Sequence, residues 1–185
     1  MEIEIEDVKW PKTLFDKTEP RQPGLHLGEV IKSLLNNTGR GYNGRGFTDM
    51  ELTAEIGLLW EDVLSKVMGD KYAVRPPQVQ KDGIWMSADG IGEDLLGEES
   101  FVIEEYKAAW GSSRKSPTDN LYYMTQAKSY CYAWETPIVV FRIFYVVGDY
   151  RGSGPLYRTA RIRFTDRELE ENWTRIINEK ERMGR

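Results

Sequence analysis

At 185 residues the chain is long enough to close one sizeable core and short for two, so a single compact unit is expected. Hydrophobic residues at 40% and charged residues at 30% exclude a disordered chain, and no apolar run approaches the roughly 18 residues of a membrane span. A formal net charge of -5 argues against a sequence-independent nucleic-acid coat protein, yet leaves room for an enzyme whose acids are gathered around a cation.

Residues 1–24 hold Pro11, Pro20 and Pro23 among charges and read as an extended arm. Their acidic start, Met1-Glu2-Ile3-Glu4-Ile5-Glu6, has the wrong sign for a signal peptide, so a cytoplasmic location is expected. From Leu25 to about Asn37, Leu27, Val30, Ile31, Leu34 and Leu35 recur at helical spacing, and Asn36-Asn37-Thr38-Gly39 ends the helix. His26, within this segment, is the lone histidine and Cys131 the lone cysteine. Together they exclude an internal disulfide, a four-cysteine zinc or iron-sulfur site and a histidine-based metal centre. Any metal must be held by carboxylates, which points to magnesium or manganese. Gly39 to Phe47 contains four glycines with Arg40 and Arg45. It is either a phosphate-contacting loop or an ordinary surface loop.

Thr48-Asp49-Met50-Glu51 is a capping box opening a second helix, whose inward face is expected to be Leu52, Ile56, Leu59, Val63 and Val67. Glu61 lies off that stripe, at the margin of the core or simply in solvent. Tyr72 to Arg75 reads as a strand before Pro76-Pro77, and Trp85 to Gly90 as a second short strand ending in Asp89. A turn-rich connection, Gly92 to Ser100, leads to a third strand. In that strand, Phe101-Val102-Ile103 passes without a turn into Glu104-Glu105-Tyr106-Lys107. Alternation puts Ile103, Glu105 and Lys107 on one face and Val102, Glu104 and Tyr106 on the other. If the two strands pair, Asp89 approaches Glu105. Two carboxylates converging beside a lysine suit a divalent cation with oxygen ligands. The plainer alternative is a salt bridge on an edge strand.

Arg114 and Lys115 lie in a loop before a helix spanning about Asn120 to Trp134, where Tyr122, Gln126 and Tyr130 recur every four residues. Such a stripe is usually core, and Gln126 is the member that does not fit. Ile138 to Val147 is a strongly β-prone run, Leu156 to Phe164 an edge strand, and Thr165-Asp166-Arg167-Glu168 a capping box before the last helix. The expected fold class is α/β in the order α-α-β-β-β-α-β-β-α.

A helical glutamate after a glycine (Gly57, Glu61), an aspartate ending a strand (Asp89), E-x-K on the next strand (Glu105, Lys107) and a helix with Gln126-Ala127-Lys128-Ser129-Tyr130 resemble the PD-(D/E)XK nuclease superfamily. The likeness is strongest to its lambda exonuclease and RecB-like branch, often phage recombination or repair enzymes. It spans roughly residues 25–147. It implies a restriction-endonuclease-like core, a central mixed sheet flanked by helices, with residues 25–185 as one nuclease domain. It implies a magnesium- or manganese-dependent deoxyribonuclease, an exonuclease acting on DNA ends, in a host cytoplasm if phage-encoded. A structure-selective endonuclease and a catalytically silent assembly protein are the alternatives. By resemblance, Glu61, Asp89, Glu105 and the Tyr106 backbone carbonyl are the metal ligands. Lys107 is the residue at the attacking water, and Gln126 and Tyr130 support it. Arg40, Arg45, Arg114 and Lys115 are candidate DNA contacts. DNA is the implied partner, with room for a homo-oligomer or a recombination protein and none for a membrane. The missing cysteines exclude the iron-sulfur subtype.

Overall fold

The computed structural model describes residues 21–38, 50–110, 113–149, 151 and 154–185. Most of the expected arm, and the glycine-rich loop with Arg40 and Arg45, lie outside them. Leu25–His26 forms a short strand (β1) that runs directly into the helix Leu27–Asn37 (α1), so the first helix begins later than its apolar periodicity suggests. His26 has extended dihedrals (φ -105°, ψ 145°) because its backbone belongs to a sheet, and it doubles as the N-cap, its N–H donating to Glu29 Oε2 at 3.0 Å.

A long helix follows, Met50–Tyr72 (α2), then the strands Ala73–Val74 (β2), Val79–Lys81 (β3), Ile84–Met86 (β4), Gly90–Gly92 (β5) and Val102–Ala109 (β6). The single strand expected over residues 85–90 is therefore two strands in different sheets. Asp82 and Gly83, both at positive φ (49° and 77°), make a two-residue turn that sets Lys81 opposite Ile84 and closes a β3–β4 hairpin. β1 adds parallel to β4, giving a three-stranded sheet in the order β1-β4-β3. Ser87 to Asp89 then carries the chain across to the second sheet.

The remaining elements are a short 3-10 turn, Pro117–Asp119, the helix Leu121–Ala133 (α3), the strands Ile138–Tyr145 (β7) and Leu156–Arg163 (β8), and the helix Asp166–Arg182 (α4). The five-stranded sheet has the order β2-β5-β6-β7-β8, with β6 and β7 parallel and the other pairs antiparallel. The fold is α/β, with mixed sheets flanked by helices, as expected. The β6–β7 register runs unbroken from Ile103 opposite Val139 to Ala109 opposite Tyr145, so no bulge disturbs alternation along β6. Phe141, on the face of Glu105 and Lys107, stacks on Tyr123 of α3 at 6.2 Å; Phe144, on the opposite face, stacks on Trp60 of α2 at 4.7 Å. The main core lies between the sheets and α1, α3 and α4, and includes Val30, Ile31, Ile84, Phe141, Trp173 and Ile176.

Helix α2 departs from expectation. Among its described side chains Leu64 and Glu55 are the buried ones, whereas Leu59, Val63 and Val67 are 45%, 39% and 69% exposed. Spacing shows which side chains share a face of a helix. Which face is covered depends on where the helix sits, and here Trp60 and Leu64 take the inward positions.

Candidate active site

The site is built at the flank of β6 where β5 runs out. β5 begins opposite Glu104, so beyond that point β6 has no strand neighbour on this side, and the Asp89 carboxylate takes the vacant place, accepting the Tyr106 N–H at Oδ2 over 2.8 Å. A strand residue's N–H and C=O point to the same flank, so the Tyr106 carbonyl opens on the Asp89 side. Gly90 permits this approach: a Cβ there would stand 3.0 Å from the Tyr106 hydroxyl and 3.1 Å from Glu104 Cβ.

On the α3 side of the sheet, Lys107 Nζ lies 2.5 Å from Glu105 Oε2 and 3.5 Å from Asp89 Oδ2, so Asp89, Glu105 and Lys107 form one cluster. Glu105 is 1% exposed, and despite the ion pair neither of its carboxylate oxygens has a well-directed hydrogen-bond donor. Burial, followed by the charges of Asp89 and Glu61, outweighs Lys107 and pushes the Glu105 carboxyl up to about 8. Burial likewise raises Glu61 to about 7, with Asp89 adding to the effect while Lys107 and Arg75 oppose it. Burial alone would lower Lys107, but Glu105, Asp89 and Glu61 together hold its ammonium well above its ordinary value. Lys107 therefore stays protonated among these acids.

Gln126 Nε2 donates to the Tyr130 hydroxyl at 2.9 Å, and both residues line a cleft of about 650 Å³ together with Glu61. Burial and the nearby Glu105 and Asp89 keep the Tyr130 phenol un-ionised. The Tyr123 ring lies 5.8 Å from Lys107 Nζ. The anticipated Glu61, Asp89, Glu105, Lys107, Gln126 and Tyr130 thus converge on one region from α2, the β4–β5 link, β6 and α3. Convergence is not yet a closed cage: among the described residues no three acidic, histidine or cysteine side chains are near enough together to ligate one ion. Arg114, 3.3 Å from Asp149, and the exposed Lys115 are not among the residues lining the cleft.

Sequence reasoning missed Arg21, His26, Lys66 and Arg75, which line the cleft, where Lys66 pairs with Asp62 at 2.6 Å. Their spread over the chain leaves no local pattern to find. Glu104 has a distinct place. It accepts from Arg142 Nε at 2.5 Å and Nη2 at 2.7 Å on the opposite face of the sheet, away from Lys107.

The crystal structure of an alkaline exonuclease (LHK-Exo) from Laribacter hongkongensis superposes with a TM-score of 0.55 at 12% identity, over 87% of this chain and 88% of that one. The fold is restriction-endonuclease-like. The crystal structure of SSO0001 superposes with a TM-score of 0.49 at 10% identity, over 87% of this chain and 78% of that one. No family model matches the sequence, and no curated protein does.

Proposed function

We propose that the protein is a metal-dependent nuclease that hydrolyses DNA phosphodiester bonds, with an exonuclease acting on DNA ends as the favoured form. The observation that carries this reading is Glu105, a buried carboxylate with no well-directed donor on either oxygen, beside Asp89 and Lys107 and within electrostatic reach of Glu61, which lines the cleft that these three do not themselves line. Ionised carboxylates are not left bare in a protein interior without a counter-charge. Three acids and one lysine leave a net deficit of positive charge, and the available donors are all hard oxygens, the set preferred by magnesium and manganese. Glu61, Asp89, Glu105 and the Tyr106 carbonyl would hold the cation. When bound, it would polarise the phosphoryl group and stabilise charge on the leaving oxygen.

The rest of the work falls to the chain. Lys107, held protonated, orients the attacking water and balances charge on the phosphoryl oxygens; accepting a proton is not its role while its neighbours are ionised. Gln126 and Tyr130, joined by their hydrogen bond, present an un-ionised donor pair beside the reacting group. Arg21 and Arg75, on the wall of the cleft, are the cations that would meet a polyanion there, Lys66 being paired with Asp62 at 2.6 Å. The fold neighbour, an alkaline exonuclease, favours action at ends.

The test is incubation of linear and covalently closed circular DNA with magnesium, with manganese and with excess chelator. Degradation of the linear form alone, abolished by chelator, is expected. Nicking of the circle at the same rate would instead indicate an endonuclease, undiminished cleavage in chelator would exclude metal dependence, and no cleavage of either DNA would indicate an assembly protein.

A further inference from the structure

Trp85 belongs to neither the acidic cluster nor the hydrophobic core, yet it lines the cleft. Its strand neighbours Ile84 and Met86 are buried, so alternation along β4 turns the indole to the opposite face, where it is half-buried. β4 is the central strand of its sheet, and Trp85 is paired on both sides, with His26 of β1 and Gln80 of β3, so its backbone is fixed. The indole is fixed as well: Nε1 donates to the Pro23 carbonyl at 3.1 Å, and a Cβ at Gly24 would stand 3.3 Å from Cδ1. Both contacts fall on the edge of the five-membered ring. The one polar atom of the side chain is therefore satisfied within the chain, and what the residue offers the cleft is a rigid aromatic surface. Tyr122 and Tyr130 line the same cleft, but Tyr130 is 5% exposed and bonded to Gln126, and the Tyr122 hydroxyl lies against Gly28, where a Cβ would stand 3.2 Å from it.

A flat ring beside arginines is the combination that binds a single nucleic-acid strand: the cations meet phosphates, and every base has a π-face to lay on the ring. Arg21 and Arg75 are on the wall of this cleft. Its volume of about 650 Å³ is that of a small-molecule site. The end nucleotides of one strand fit such a space, and a duplex, whose major groove alone is about 12 Å wide, does not. Asp89 follows Trp85 by four residues, at most about 14 Å of extended chain, so a base held on the indole belongs to a nucleotide close to the acidic cluster. We propose that Trp85 is a stacking platform for a nucleobase of a single DNA strand in the cleft, fixing that nucleotide beside Glu61 and Asp89. This assignment rests on the nuclease reading of the site.

The test is equilibrium binding of an oligodeoxythymidylate of about 12 nucleotides to the full chain in excess chelator, with an abasic residue moved through the strand. A solution at about pH 6 keeps Glu61 and Glu105 largely protonated, so that they do not repel phosphates. In the wild type one abasic position is expected to weaken binding about tenfold, the size of one base–aromatic stack. Trp85→Leu should weaken binding of the intact strand by about as much and be indifferent to the abasic residue at that position, a coupling that a merely structural role would not produce. Trp85→Phe keeps a ring while losing the bond to Pro23, and should retain most of the affinity. Should Trp85→Leu fail to fold by circular dichroism, tryptophan fluorescence decides: the oligonucleotide is expected to quench the wild type and to quench Trp85→Phe less. Identical abasic profiles for wild type and Trp85→Leu, equal losses in Trp85→Phe and Trp85→Leu, quenching unchanged by Trp85→Phe, or no binding of the single strand would each overturn the proposal. A protein that shows the coupling and cleaves no DNA would keep the stacking platform and lose the hydrolytic reading; one that cleaves without the coupling would do the reverse.

Discussion

Glu104 and Glu105 are adjacent, chemically identical and almost equally buried, yet they do opposite things because a strand points them to opposite faces. Glu104 is neutralised by the two-pronged contact with Arg142; among the described residues the cation paired with Glu105 is Lys107, which it shares with Asp89. Glu104→Gln is expected to leave Arg142 with an uncompensated charge, lowering stability by about 3 kcal/mol while the folded fraction retains activity. Glu105→Gln removes a ligand oxygen with little change in volume and is expected to lower cleavage by more than about 100-fold, beyond the loss typical of residues behind a ligand. Above pH 8, where the Glu105 carboxyl is ionised, it should also raise the melting temperature of the metal-free protein, since it removes a charge held in an unfavourable place. Thermal melts of both variants with and without manganese check this: wild type and Glu104→Gln should be stabilised by the ion and Glu105→Gln should not. A Glu104→Gln protein that is folded yet inactive would mean that the roles are reversed.

Individual elements are secured by local chemistry far from the site. Thr165 caps α4, accepting the Glu168 N–H at 3.3 Å, while the Glu168 carboxylate accepts the Thr165 N–H at 3.0 Å; that return bond lowers the Glu168 carboxyl, with Lys128 assisting at 3.1 Å. Thr165→Ala is expected to destabilise by about 1 kcal/mol, a shift of about 2 to 4 °C in melting temperature for a domain of this size, with DNA cleavage unchanged. The β3–β4 hairpin is tied to the same helix, Trp173 Nε1 donating to Asp82 Oδ2 at 2.9 Å. The connection from β5 to β6 is held in a comparable way. Asp94 accepts the N–H groups of Leu96, Glu98 and Glu99 and a contact from Arg161, leaving Leu95 and Leu96 outside.

Across the whole molecule, two groups of acids pull the pH dependence of stability in opposite directions. Glu179, lowered by its bond to Arg182, and Glu168 bind protons more weakly in the folded state, so their contribution is present above the ordinary carboxyl value and is lost as pH falls through their folded values. Glu61 and Glu105 are raised, to about 7 and about 8, so the folded state holds their protons longer, and stability declines as pH rises from the ordinary value of 4.5 through those values. The metal-free protein is therefore expected to be most stable in mildly acidic solution. Added manganese should restore stability at pH 8 far more than at pH 5. Urea titrations at the two pH values measure the difference, and an equal effect at both would disconnect these acids from the ion.

The candidate site was legible in the chain because its signals are local and periodic. Alternation along residues 101–109 separates Glu104 from Glu105, and four-residue spacing aligns Gln126 with Tyr130. The capping boxes and the β-prone run at 138–147 likewise follow from side-chain chemistry that acts over a few residues. The Asp82-Gly83 pair before Ile84 is equally local evidence for the β3–β4 hairpin, whereas the crossing from β4 to β5 at Ser87 to Asp89 carries no comparable turn signal. Tertiary structure alone decided the rest. Arg21, Lys66 and Arg75 acquire a common cleft only when distant elements meet, and Arg142 becomes the partner of Glu104 only through the β6–β7 register. The stripe on α2 obeys the same periodicity as a core face and yet faces outward, because periodicity determines which side chains lie together and packing determines what they lie against.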